Sequence, residues 1–294
     1  MRAHLLRRDH HLMEPRRHVL GPVTVYRIGF GAMQLPGPGV WGPPRDRDAA
    51  IAVLRRAADL GVDHIDTAYF YGPEVANELI RAALHPYPDG LALVSKVGAK
   101  RDASGGVLRY DQPAELRQGI EDNLRSLAVD HLAVVNLRLV DDAQPDQRFE
   151  DQLAAMVKAR DDGLIGGIGL SNISLDHLRY ALAITDIACV QNLMNLSDRR
   201  SMPVLEECHA RGIAFAPFFP LGSGFSRHPA RADARVAKTA ARLGCTPAQV
   251  ALAWLLDLRP EVLLIPGTSS VSHLEENMSV ADVALDAEAR KLLA

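Results

Sequence analysis

The chain has few cysteines, few aromatic residues and almost no excess of either charge. Three cysteines, Cys189, Cys208 and Cys245, stand among 294 residues. They lie far apart, with neither metal-ligand spacing nor an even-numbered framework. That pattern fits reduced thiols in a cytoplasmic protein and argues against a disulfide-stapled scaffold. Lysine and arginine number 33 against 36 acidic residues, and no long basic run occurs, so no nucleic-acid partner is expected. Apolar runs are interrupted well short of a membrane span, so no membrane partner is expected either. The opening "MRAHLLRRDHHL" is basic but has no apolar centre and no small-residue cleavage site, which argues against a secretory signal. Residues 1 to 17 read instead as a disordered extension, or as a stretch upstream of a start at Met13, with one domain over 18 to 294. No Ser-His-Asp pattern and no cluster of metal ligands stands out, so no metal site is expected.

What is present is a rhythm. With 48% hydrophobic and 23% charged residues, the chain can bury a substantial core. From residue 46, apolar residues at helical spacing alternate with short extended runs. "DRDAAIAVLRRAADLG" and "PAELRQGIEDNLRSLA" open on acids or proline and carry the helical period. "HLAVVNLRL", "IGGIGLS" and "IAFAPF" read as strands. With "RIGFGAM" at the front and "VLLIPG" near the end, eight strand-helix units result. Eight such units in about 250 residues are what a (β/α)8 TIM barrel of a single domain needs. A doubly wound open sheet is the alternative, but "GFGAMQ" lacks the third glycine of a dinucleotide fingerprint and leads into a proline-rich loop. "HVLGPVTVYR" reads as an N-terminal hairpin on the barrel floor.

In a barrel, chemistry lies at the C-terminal ends of the strands. Those ends read "HIDTAYFYG", "VSKVG", "NLRL", "GLSN", "VQN", "APFFPLG" and "IPGTSS". Asp66, Tyr71 and Lys96 thus come from adjacent strands. A phenol alone is a poor proton donor; a neighbouring ammonium stabilises the phenolate, and a carboxylate keeps that ammonium charged and aimed. Such a trio suits protonation of a carbonyl oxygen while hydride arrives at carbon. On "AVVNLRL", Asn136 and Arg138 alternate and share one face. A guanidinium keeps its charge, so that face meets either water or a pocket that needs a cation.

"DTAYFYG", "SKVG", "GLSN", "VQN", "FFPLG" and "IPGTSSVSHLEEN" together resemble the aldo-keto reductase superfamily, in order and from about residue 20 onward. The resemblance implies a (β/α)8 barrel that reduces small aldehydes or ketones with NADPH and no metal. It implies Tyr71 as general acid, Lys96 as its cationic partner and Asp66 as the residue orienting Lys96. It implies a cofactor site built from Gly31, Met33, Ser171, Asn172, Gln191, Phe218, Pro220 and Leu221. In that site Ser171, Asn172 and Gln191 hold the nicotinamide carboxamide, and Phe218 stacks on the ring. On the adenosine side it implies Gly267, Thr268, Ser269, Ser270, His273, Glu276 and Asn277.

Two positions depart from the superfamily. Many members carry Lys at Gly267 and Arg at His273, which leaves the choice between NADPH and NADH open here. Arg138 stands where a histidine usually meets the substrate carbonyl. "GAMQLPGPGVWGPPRDRDAAI", "VVNLR" and "LLIPGTSSVSHLEENM" resemble a bacterial group of pyridoxal reductases, also called pyridoxine 4-dehydrogenases, active in vitamin B6 metabolism. That implies a substrate site with Trp41, Tyr71, Asn136 and Arg138. A reductase of other aldehydes, or a nicotinamide-sensing regulatory subunit, stays open, as does the oligomeric state.

Overall fold

The computed structural model describes residues 16–141, 144–222 and 233–294. It opens with a hairpin of β1 (Arg17–Leu20) and β2 (Val23–Tyr26). Arg17, one residue before the expected domain start at 18, pairs with Tyr26; the extension expected over 1 to 17 lies, for residues 1–15, outside the described residues. The main sheet contains β3 (Phe30–Gly31), β4 (His64–Asp66), β5 (Ala92–Arg101), β7 (Leu132–Arg138), β8 (Ile165–Ser171), β9 (Cys189–Leu193) and β10 (Ala214–Phe218). These are parallel neighbours in that order. The helices are α1 (Arg47–Asp59), α2 (Val75–Leu84), α3 (Pro113–Leu127), α4 (Gln147–Asp161) and α5 (Leu175–Leu182). They continue as α6 (Met202–Arg211), α7 (Ala234–Leu243), α8 (Pro247–Leu258), α9 (Val271–Met278) and α10 (Ala287–Leu293).

The barrel closes through a segment that sequence marked as a full strand over 262 to 267. Only its start pairs: Val262 bridges Phe215 and Leu264 bridges Ile28, both parallel. The bonds Leu263 N–Phe215 O at 2.8 Å and Gly29 N–Leu264 O at 2.8 Å complete the ring. "RIGFGAM" is likewise shorter than expected, two residues of strand followed by a 3-10 turn at Ala32–Gln34. β6 (Val107–Tyr110), antiparallel to β5, was not foreseen, and neither was α10.

Local chemistry sets the helix starts. Asp46 and Asp146 accept the N–H groups of Ala49 and Phe149, and Thr246 with Gln249 forms a capping box. Outward-facing strand residues such as Val135, Leu137, Ile168 and Leu170 are fully buried against the helices. The barrel interior is narrower and takes smaller side chains: Ala92, Val94, Val134, Cys189, Ala214 and Ala216 pack with Leu20 and Val25 of the hairpin. The hairpin therefore plugs the floor. Burying Leu20 at 2% exposure contributes about 1.5–3 kcal/mol. With the floor sealed by apolar groups, the polar inward residues gather at the other end.

Candidate active site

Asp66 ends β4 and Lys96 lies on the neighbouring β5, both facing the interior. Lys96 Nζ donates to Asp66 Oδ1 in a short contact and to the Thr67 carbonyl at 3.1 Å. The same Nζ lies 5.1 Å from the centroid of the Tyr71 ring. All three side chains are buried. Burial works against a charge on Lys96, but Asp66 and then Tyr71 outweigh it, and the lysine pKa is raised. The ammonium is thus fixed between a carboxylate and a phenol.

Tyr71 is carried by a turn after β4. Its N–H donates to Ala68 O at 3.0 Å, and the next residue, Gly72, has φ of 112°. A Cβ at Gly72 would also lie 2.4 Å from Val75 Cβ, so only glycine fits there. Trp41 bridges Gly72, which brings the first loop beside the phenol. Behind the strands, Thr67 Oγ1 donates to Asn77 at 2.8 Å, Asn77 donates to Asn123 at 3.0 Å, and Ser95 donates to Asn123 at 2.6 Å. This buried network ties the residues next to Asp66 and Lys96 to α2 and α3.

The other oxygen of Asp66 accepts from Gln191 Nε2 at 2.5 Å. Gln191 Oε1 is buried without a partner, and so is Ser171 Oγ on the adjacent strand. Ser171 pairs in register with both Gln191 and Arg138, so the three residues form one row across β9, β8 and β7. Asn172 follows in the left-handed region, φ 60°, and donates to Leu139 O at 3.0 Å. Phe218, Pro220 and Leu221 continue from the end of β10 and are half-buried. Phe218 lies 6.0 Å from the Arg138 guanidinium carbon.

Arg138 is the topmost inward residue of β7. Burial pushes its pKa below the ordinary guanidinium value, with Tyr71 working the other way and Arg101 deepening the shift. Among the described residues no carboxylate pairs with it. Asn136 sits one layer deeper and is fully buried. Its amide donates to Ser95 O at 3.3 Å, and it bonds neither the guanidinium nor Lys96. Asn136, expected in the substrate site, lies at the floor of the site, with Oδ1 set against Gly169, where a Cβ would lie 2.0 Å away.

Gly31 and Gly267 approach each other closely. A Cβ on Gly31 would lie 2.4 Å from Ile265 O, and one on Gly267 2.5 Å from Gly31 O. Met33 is half-buried just beyond. Thr268 is buried and accepts from Ser270 N at 3.0 Å; Ser270 caps α9 by accepting from His273 N, and Ser269 and His273 are exposed. Glu276, expected on the adenosine side, is half-buried. Its carboxylate accepts from Thr246, the cap of α8, whereas Asn277 is buried on the inner side of α9. Sequence reasoning missed Arg101, which lies on the part of β5 that extends into the β6 hairpin; the only signal was the basic "AKR" after the expected strand.

The model of the aldo/keto reductase family matches residues 27–293. The chain belongs to this family. The reductase is 48% identical over 279 residues to pyridoxine 4-dehydrogenase of Escherichia coli K12, covering 94% of this chain and 96% of that protein. It is 39% identical over 269 residues to an uncharacterized oxidoreductase of Schizosaccharomyces pombe, covering 92% and 86%. Among solved structures, an aldo/keto reductase from Klebsiella pneumoniae in complex with NADP and acetate superposes with a TM-score of 0.78 at 26% identity, covering 95% of this chain and 94% of that one. The thermostable aldo-keto reductase Tm1743, bound to the inhibitor epalrestat, superposes with a TM-score of 0.77 at 27% identity, covering 94% and 98%. The barrel expected from sequence is thus the family's barrel, and the chain places Asp66, Tyr71, Lys96 and Gln191 at one end of it. Among the described residues, no helix is long and apolar enough to cross a membrane.

Proposed function

We propose that the protein is an NADP(H)-dependent reductase of small aldehydes, that pyridoxal is its substrate and pyridoxine its product, and that Tyr71 is the general acid. The observation that carries this is the placement of Lys96 Nζ between Asp66, Thr67 O and the Tyr71 ring, with all three side chains buried.

The chain's residues fit a nicotinamide. Ser171 Oγ and Gln191 Oε1 are buried and unpartnered, and a carboxamide supplies one acceptor and one donor for them. Phe218 offers a ring beside them, and the capped N-terminus of α9 offers N–H groups to a phosphate. A bound reduced nicotinamide supplies the hydride.

The residues then divide the work. Tyr71 releases its proton to the carbonyl oxygen as negative charge develops there. Lys96 stabilises the phenolate left behind, and Asp66 holds Lys96 charged at that place. Arg138 presents fixed positive charge and several donors to the same oxygen, as an oxyanion-stabilising group does. Pyridoxal carries a phenolic oxygen next to its aldehyde, and Arg138 spans both. Trp41, beside Gly72, walls the ring. The pyridoxine 4-dehydrogenase relative supports this choice of substrate.

The test is consumption of reduced nicotinamide, followed by its absorbance, with pyridoxal and a panel of other aldehydes. The expected result is the highest kcat/KM with pyridoxal. A panel member that outperforms pyridoxal by an order of magnitude would reassign the substrate; no turnover of any aldehyde would remove the activity.

A further inference from the structure

A second guanidinium stands at the same mouth. Arg101 donates from Nη1 to Gly105 O at 2.7 Å and from Nε toward Phe70 O at 3.4 Å. Phe70 meets Tyr71 edge-to-face, with ring centroids 5.2 Å apart. The turn that holds Gly105 packs under Trp41: a Cβ on Gly105 would lie 3.3 Å from the indole. Three residues before Arg101, Gly98 rests on the Arg138 backbone, with a Cβ there only 2.4 Å from Arg138 O. Arg101 is thereby tied to the acid loop, to the substrate-side tryptophan and to the strand that carries Arg138.

Neither arginine has a carboxylate partner among the described residues. The nearby acids are engaged elsewhere: Asp66 with Lys96 and Gln191, Asp102 with Ser104 and Gly106, Asp141 with Arg109. A guanidinium held at the mouth with no protein anion beside it carries a cost that an anionic ligand removes.

Resting on the reductase activity proposed above, we propose that Arg101 and Arg138 form an anion subsite, and that the substrates favoured here are aromatic aldehydes bearing an oxyanion on the ring. Arg138 serves the oxygen beside the carbonyl. Arg101 serves an oxyanion farther along the ring and determines specificity without touching the reacting atoms.

The test compares benzaldehyde with 3-carboxybenzaldehyde in the parent, in Arg101→Gln and in Arg101→Lys. Gln keeps donors for the backbone carbonyls but removes the charge; Lys keeps the charge. The parent is expected to favour the carboxylate aldehyde. Arg101→Gln is expected to lower that ratio of kcat/KM about 10- to 100-fold, chiefly through KM, as loss of a charge-assisted hydrogen bond predicts. Arg101→Lys is expected to recover most of it. A parent without the preference, or a ratio unchanged in Arg101→Gln, overturns the subsite. Calorimetric titration of the NADP-saturated protein with benzoate reads the subsite without turnover. If the parent reduces neither aldehyde, the proposed activity fails. The subsite is then decided by benzoate alone: weaker binding to Arg101→Gln than to the parent supports it, and equal or absent binding overturns it.

Discussion

Gln191 donates its side-chain amide to Asp66 at 2.5 Å, so one residue joins the proposed nicotinamide side of the site to the carboxylate that holds Lys96. The bond fixes which way the amide faces. Its nitrogen is turned to Asp66, and its oxygen stays buried without a partner. Gln191→Leu leaves a buried carboxylate oxygen without its donor, a loss on the order of 1–3 kcal/mol. The expected outcome is weaker NADPH binding together with lower kcat, read by fluorescence titration and by single-turnover kinetics. A variant that lost only cofactor affinity would show that Asp66 keeps its position without the amide.

Tyr71→Phe removes the proton donor and little else. General acid-base participation is worth roughly 100- to 10,000-fold, and the expected loss of kcat is in that range with NADPH binding retained. Lys96→Met is expected to be comparably severe, because it also leaves Asp66 buried beside an apolar chain. Stopped-flow measurement of the hydride step is the check. Activity of Tyr71→Phe within a few-fold of the parent would mean that another group supplies the proton.

For Arg138→Met the discriminating quantity is the difference between two aldehydes. Pyridoxal has an oxygen next to its carbonyl and benzaldehyde does not. The variant is expected to lose about 10- to 100-fold in kcat/KM with pyridoxal, the scale of one charge-assisted bond, and several-fold less with benzaldehyde. Equal losses would leave carbonyl polarisation as its only role. No loss with either would confine the arginine to barrel packing.

Cofactor choice rests on the start of α9, where His273 stands in the first turn, and on the uncharged Gly267 before it. The close approach of Gly267 to Gly31 explains why no lysine stands there: any Cβ would have to separate the two backbones. His273 is exposed and free of that constraint. The parent is expected to prefer NADPH modestly. His273→Arg is expected to increase that preference about tenfold, and Gly267→Ala to weaken binding of both cofactors. Titration with NADPH and NADH decides it; tighter NADH binding by the parent would reverse the assignment.

The sequence by itself determined the alternation of strands and helices, because helical and extended periods each leave a local record. It determined that Asn136 and Arg138 share a face, since strand side chains alternate strictly. Through the resemblance of its motifs it also named Asp66, Tyr71 and Lys96, each within a short run at a strand end. The tertiary structure alone decided how deep a residue lies on its face. Asn136 and Arg138 point the same way, but the sealed floor makes one a buried support and leaves the other at the mouth. It decided that Glu276 turns to the cap of α8, a contact across 30 residues that no local pattern encodes. It decided barrel closure, where a few bonds from Val262 to Leu264 take the place of a full strand. It also set Arg101 beside the loop that carries Tyr71, because the guanidinium at the end of that hairpin is held by the carbonyls of Phe70 and Gly105, contacts that no local period encodes.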